Sequence, residues 1–437
     1  LYYSVDYAGT RMMEPSLLGL LANVGDFSQG LTFQKKSEAK VDKSYDLRTA
    51  KASHVDYHAN QLNVTYLNGK KEPMTVTFNV SNNDVAFRYT FDGLKAQHII
   101  INEEKTAFNL PKISTSFLSP QSNPLIGFAR TKPSYEEDYK PDAPLTAKSG
   151  YGRGYTFPCL FKVGGEGWVL VSETGTHGNY PGCHISDYDA NKGYQIAFPM
   201  KEEGDGIGSN NAVFSLPGST PWRTITVGKD LKPLVETTIP YDVVEPRYEA
   251  SQKYGVGKYA WSWLIWQDAS CNYNDQKQFI DLAATMGYEY VLVDALWDTQ
   301  IGRDKIADLS RYAQSKGVSL MLWYNSNGVT NDAPQGPRNC MDNIVARKKE
   351  MAWMKSIGVK GIKVDFFGSD KQQTMQNYED ILSDANDYGI QVIFHGCTLP
   401  RGWERMYPNF ISSEAVLASE NVFFSDYHAK QEGFELT

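Results

Sequence analysis

Two carboxylates and a lysine carry the first chemical signal. Asp365 follows Lys363 by two residues in the apolar run Gly361–Phe366 (GIKVDF). In a strand, residues two apart share a face, so ammonium and carboxylate point the same way. Charges at the end of a buried strand are costly unless they are paired or used. Two uses fit: a structural ion pair lining the strand ends, or an Asp365 kept ionised by Lys363 and available as a nucleophile. Lys363 can also donate to a sugar hydroxyl. Glu414 and Glu420 lie six residues apart in SSEAVLASE. They read as ordinary loop glutamates or as carboxylates gathered round a cleft. The preceding Arg401–Asn409 (RGWERMYPN) supplies Arg, Trp and Tyr side chains suited to sugar. Two carboxyl groups with separated pKa values are the minimum set for cleaving a glycosidic bond: one attacks the anomeric carbon, the other protonates the leaving oxygen and then activates water. Asp294, in LVDALW, is a third acid at a strand end. It either hydrogen-bonds sugar hydroxyls beside a Trp297 platform or caps the helix that follows. Trp261, Trp263, Trp266 and Trp323 read mostly as core packing.

The elements that must position these residues alternate regularly. Strand-like runs at Tyr259–Trp266, Tyr288–Asp294, Val318–Tyr324, Gly361–Phe366 and Gln391–Phe394 are separated by helical patterns at Asn274–Met286, Arg303–Lys316, Met341–Ile357 and Gln372–Tyr388. Gly287, Gly317, Gly358 and Gly389 follow the helices, as left-handed helix ends require. This alternation predicts βαβ units and a parallel sheet. An open doubly wound sheet and a closed (β/α)8 barrel both satisfy it. Asp294, Asn325, Asp365, His395 and Glu414 fall at the carboxyl ends of successive strands, and a barrel gathers such residues round one mouth. No GxGxxG turn supports a dinucleotide site. About six strands precede Thr437, so the barrel is expected to be incomplete at its C-terminal end, as in a fragment.

Residues 1–245 read differently. Thr75–Val80 (TVTFNV) and Val85–Phe91 (VAFRYTF) alternate in polarity around an Asn-Asn-Asp turn, a hairpin signal. Gly164–Gly167 precedes the strand Trp168–Val171. Such turns without long helical periodicity predict a large β-sandwich over 1–245, followed by the barrel over 246–437. A chain of 437 residues is long enough for both. The net charge of −8 argues against nucleic acid and anionic membranes as partners. Aromatic residues make up 13%, which suits sugar stacking but equally a Tyr-rich β core. Five cysteines without a CxxC form neither a disulfide framework nor a zinc site. The start at Leu1 reads as a mature or trimmed form whose targeting segment has gone.

Taken together, VAFRY, LVDALW, GIKVDFF and the stretch from His395 through Arg405-Met406-Tyr407-Pro408-Asn409 to Glu414 and Glu420 resemble glycoside hydrolase family 97. The resemblance covers essentially the whole chain. It implies an N-terminal β-super-sandwich, a catalytic (β/α)8 barrel and a small C-terminal β domain beyond it. The family's inverting α-glucosidases carry a glutamate base directly after the histidine, where this chain has Gly396. Its retaining α-galactosidases use an aspartate at the end of strand 4, where Asp365 lies. The resemblance therefore implies a retaining exo-α-galactosidase acting on galactosides or oligosaccharides. Asp365 would be nucleophile and Glu420 acid/base. Asp294, Trp297, Lys363, His395 and Arg405 would touch substrate. Ca²⁺ would be held by Glu173, Glu414 and Glu420. The expected location is periplasmic or secreted. An inverting α-glucosidase and a non-catalytic carbohydrate-binding protein are the alternatives.

Overall fold

The computed structural model describes residues 1–327, 329–418, 420, 421 and 424. Strands through Trp222–Gly228 pair antiparallel. The largest sheet has ten strands, and its centre is the predicted hairpin: Pro73–Val80 pairs with Asp84–Phe91, Val80 opposite Val85. Alternation puts Met74, Val76, Phe87, Tyr89, Val169, Val171 and Ile225 on its inner face. These pack in one apolar cluster with Leu20, Ile99, Ile101, Ala212 and Phe214 from a four-stranded sheet. Two antiparallel layers over a shared core are the sandwich arrangement.

The second half is a six-stranded parallel sheet, Tyr259–Trp261, Tyr290–Val293, Ser319–Asn325, Gly361–Asp365, Gln391–Phe394 and Phe410–Ser413, joined in chain order. Unbroken sequential order is how barrel staves are laid down, whereas a doubly wound sheet reverses at a switch point. Among the described residues the sheet has these six strands, so an eight-stranded closure goes beyond them. The helices Tyr273–Met286, Ile344–Ile357 and Gln372–Tyr388 end on Gly287, Gly358 and Gly389 at φ 68°, 83° and 71°. Asn272 and Asn343 cap the first two by accepting two backbone N–H bonds each. Strand cores such as Val291, Leu320, Ile362 and Val392 are fully buried beneath the helices.

One predicted strand is shorter than its apolar run. Tyr259–Trp266 pairs only as far as Trp261, and Trp263–Trp266 form a helical turn. The buried Ser262 hydroxyl bonds Ser270 and receives the Gln276 amide, which folds the chain over the strand end. Ile265 and Trp266 are left exposed.

Candidate active site

The carboxyl ends of the parallel strands open into a cavity of about 690 Å³. Its floor is an ion network. Lys363 Nζ lies 3.1 Å from Asp294 Oδ2 and 3.8 Å from Asp365 Oδ2. The ammonium also stands 4.1 Å from the centre of the Trp261 ring, and Trp261 Nε1 donates to Asp294 Oδ2 at 2.7 Å. Burial opposes the Lys363 charge, but Asp294 and Asp365 hold the ammonium well above its ordinary pKa.

Asp365 is buried and fully engaged. Its Oδ1 accepts from Phe366 N at 2.7 Å and its Oδ2 from Trp323 Nε1 at 3.0 Å. His395 Nδ1 is 3.2 Å from Oδ2. Burial alone would raise this carboxyl, yet His395, Lys363 and the Trp323 hydrogen bond override it and hold it at about 2. Phe366 adopts φ 65°, an uncommon backbone for an aromatic residue, and its ring edges against Trp323. Gly396 follows at φ 46°, where a Cβ would come within 2.6 Å of Asp365 Oδ1.

The other His395 nitrogen faces two further acids. Nε2 lies 2.9 Å from Glu414 Oε2 and 3.8 Å from Glu420 Oε2. The 2.9 Å approach is off the hydrogen-bonding direction, so Glu414 Oε2 is buried without a hydrogen bond. Burial and Lys363 disfavour the imidazolium, but Glu414 and Asp365 raise it well above the usual histidine range. Glu420 is pushed up to about 7 by burial first, with the charges of Glu414 and Glu136 adding and His395 opposing. One site thus holds a strongly acidic carboxyl and a weakly acidic one, on opposite edges of one imidazole.

Asp294, Lys363, Asp365, His395, Glu414 and Glu420 are therefore brought together. Three expected site residues are not. Trp297 is fully buried on the outer side of the sheet, stacked on Trp353 at 5.7 Å, with Nε1 donating to the Trp323 carbonyl. It is core, not a sugar platform, because the chain turns outward into a helical turn right after Asp294. Arg405 spans to the end of the sandwich half: it donates to the Tyr241 carbonyl and to Glu245, with the Tyr45 ring 3.8 Å beneath it. Glu173 is buried with Cys183 N and the guanidinium groups of Arg223 and Arg401 on its carboxylate. Two arginines already satisfy its charge, which leaves it no role as a ligand beside Glu414.

Residues 1–246 match the family Glycosyl-hydrolase 97 N-terminal, and residues 254–416 match Glycoside hydrolase 97. The chain belongs to glycoside hydrolase family 97. It is 26% identical to a probable retaining alpha-galactosidase of Streptomyces bingchenggensis over 95% of this chain, and it spans 61% of that protein's length. It is 25% identical to a retaining alpha-galactosidase of Bacteroides thetaiotaomicron over 100% of this chain and 67% of that one. A solved beta-arabinopyranosidase superposes with a TM-score of 0.98 at 55% identity, over 99% of this chain and 69% of that one. A family 97 enzyme from Pseudoalteromonas in complex with panose shares the fold at a TM-score of 0.79 and 18% identity, over 96% of this chain and 67% of that one.

This family 97 site also contains residues that sequence reading passed over. Glu136 lines the cavity from a sandwich loop, 3.5 Å from Lys132 Nζ. Burial first, then Glu414, raises its carboxyl. Nothing in PSYEEDY separates it from ordinary loop acids. Trp263 and Trp266 line the cavity too, and Trp263 Nε1 donates to Asp268 at 2.8 Å. Clustered tryptophans just past a strand end were the available signal, but they were read as core.

Proposed function

We propose that this site performs retaining hydrolysis of a terminal pyranoside of galacto configuration. Asp365 attacks the anomeric carbon while Glu420 gives its proton to the departing oxygen. The ester so formed on Asp365 is then hydrolysed by water, whose proton returns to Glu420. The observation that carries this reading is the pairing of a buried, ionised Asp365 with a side-chain-free Gly396. An inverting enzyme needs a base on that side, and here no carboxylate extends from position 396. Lys363 and Asp294, held by Trp261, would orient ring hydroxyls, and Trp263 and Trp266 would meet the sugar's apolar face.

Two substrates share this ring configuration. An α-galactoside and a β-L-arabinopyranoside agree at C1 to C4, and the second lacks only the exocyclic carbon. The named relatives support both readings, and the 55% identity to a beta-arabinopyranosidase favours the second. Specificity constants for aryl α-galactoside, aryl β-L-arabinopyranoside and aryl α-glucoside decide the matter, with proton NMR reading the first-formed anomer. Either galacto-configured substrate should exceed the glucoside by far. A glucoside preference, or an inverted product, would overturn the proposal.

A divalent cation fits beside Glu420. One ligand atom from each of His395, Glu414 and Glu420 lies within 4.8 Å of the others, Glu414 Oε2 lacks a hydrogen bond, and Glu136 is close by. Hard carboxylate oxygens suit Ca²⁺. We assign the ligand role to Glu136, Glu414 and Glu420 in place of the set containing Glu173. Bound there, the ion would supply positive charge that offsets repulsion among the three acids.

A further inference from the structure

Outside the catalytic cavity, the ten-stranded sheet presents a polar face that holds an arginine without a counter-charge among the described residues. Ser37, Asn63, Thr77 and Arg88 stand directly opposite one another across four adjacent strands. Thr77 donates to Asn63, Gln61 to Asn79, and Thr65 meets Thr75 at 2.9 Å. The row ends at Arg88, whose guanidinium lies 4.4 Å above the Trp222 ring. Arg88 Nε is buried without a hydrogen-bond partner. Burial, with no acid opposing it, lowers the guanidinium from its ordinary pKa. Neighbouring cations are not in this state: Lys36 pairs with Glu38 and Lys43 with Glu245. Arg88 as a whole is half-buried, so the cost of a charge without a counter-charge is felt mainly at Nε, and its planar fork matches a carboxylate.

We propose that Arg88 and Trp222 form an anion subsite on the sandwich sheet that takes a carboxylate-bearing saccharide. Clefts of about 490 Å³ and 420 Å³ flank the pair, and Arg88, Trp222 and Gln61 line both. That space exceeds an inorganic anion and accommodates sugar rings. The hydroxyl and amide row supplies both donors and acceptors for sugar hydroxyls. The net charge of −8 disfavours a polyanion, so a single carboxylate on an otherwise neutral glycan is the ligand class that fits. The subsite is separate from the proposed hydrolytic site and does not depend on it.

The test is calorimetric titration of the protein with cellobiouronate, cellobiose and sodium sulfate. These β-linked glucosyl probes do not match a site for terminal galacto-configured sugars. Cellobiouronate should bind at least about tenfold more tightly than cellobiose, and sulfate more weakly still. Arg88→Met keeps the stem over Trp222 and should lower cellobiouronate affinity at least about tenfold, while Arg88→Lys retains part of it. Aryl glycoside hydrolysis should be unchanged in both, which also reports that they fold. Equal affinity in Arg88→Met, equal binding of the neutral disaccharide, sulfate binding as tight as cellobiouronate, or no binding at all would each overturn the proposal.

Discussion

A Cβ on Gly396 would stand 2.6 Å from Asp365 Oδ1, closer than side chains approach, and a tight 3.0 Å from Phe366 N. The Asp365 carboxylate and any side chain at 396 therefore compete for the same space. One residue after His395, this chain keeps the aspartate on the neighbouring strand and gives up the side chain. On the proposed mechanism, the absence of a side chain at 396 is thus steric as well as chemical in origin.

Gly396→Ala tests this directly. The methyl must displace Asp365 or move its own backbone from φ 46°. A displacement of about 1 Å in a reacting group can cost about 100-fold in rate. We expect kcat/KM on the preferred aryl glycoside to fall by about that factor, with Tm followed alongside. Near-native turnover would show that the Asp365 carboxylate does not need the space.

Glu136 and Glu173 should separate metal binding from stability. Glu173→Gln weakens a buried carboxylate between Arg223 and Arg401, and breaking such a pair costs about 3–5 kcal/mol. Its signature is a lowered Tm with calcium affinity unchanged among molecules still folded. Glu136→Gln should do the reverse, weakening calcium binding and chelator resistance while leaving Tm in chelator near that of the parent protein. A calcium affinity that follows Glu173 and ignores Glu136 would restore the ligand set expected from sequence.

The strand-end acids were legible because polar residues at the ends of apolar runs are conspicuous, and βαβ alternation fixes the end at which they gather. Asp294, Lys363, Asp365 and His395 come together for that reason. Residues whose contacts depend on long-range docking were not legible. Glu136 approaches Glu414 only because a sandwich loop folds over the strand ends, and Glu173 meets Arg401 only where the two halves join. Trp297 was expected as a sugar platform and Trp323 mostly as core packing, and the structure places them the other way round. The first turns outward onto Trp353, and the second points inward to Asp365. Strand alternation separates inward from outward within a strand, but Trp297 lies beyond the last strand residue, where that rule stops.

The junction between the halves should carry a pH signature. Glu379, on the helix Gln372–Tyr388, accepts from Gly178 N and Arg247 and lies 3.3 Å from His177 Nδ1. Burial opposes its charge, but His177, Arg247 and the Gly178 hydrogen bond hold it at about 2. Its folded pKa lies below the unfolded value of about 4.3, so its contribution is complete above that value and is lost as pH falls towards 2. Urea unfolding of the parent and of Glu379→Gln should differ by about 1–3 kcal/mol near pH 7, and the gap should close progressively below about pH 5. A gap that stays constant down to about pH 3 would remove the ion pairs as its source.

Asp365 and Glu420 should fail in different ways if they are nucleophile and acid/base. Asp365→Gly removes the atom that bonds the anomeric carbon, so turnover of every substrate should vanish whatever its leaving group. The vacated space lies on the side of the sugar from which Asp365 attacks, and azide entering there should yield a glycosyl azide of inverted configuration. With calcium kept saturating, Glu420→Gln leaves the attacking carboxylate in place, keeps an oxygen for the proposed ion and removes the proton. Loss of a general acid costs about 10²–10⁴-fold where protonation matters. That loss should fall on alkyl and sugar leaving groups, while aryl groups of low pKa keep most of their first-step rate. A plot of log kcat/KM against leaving-group pKa should therefore steepen in Glu420→Gln. The parallel line of a residue outside proton transfer would sink the assignment, because uniform loss means damaged binding rather than a missing proton.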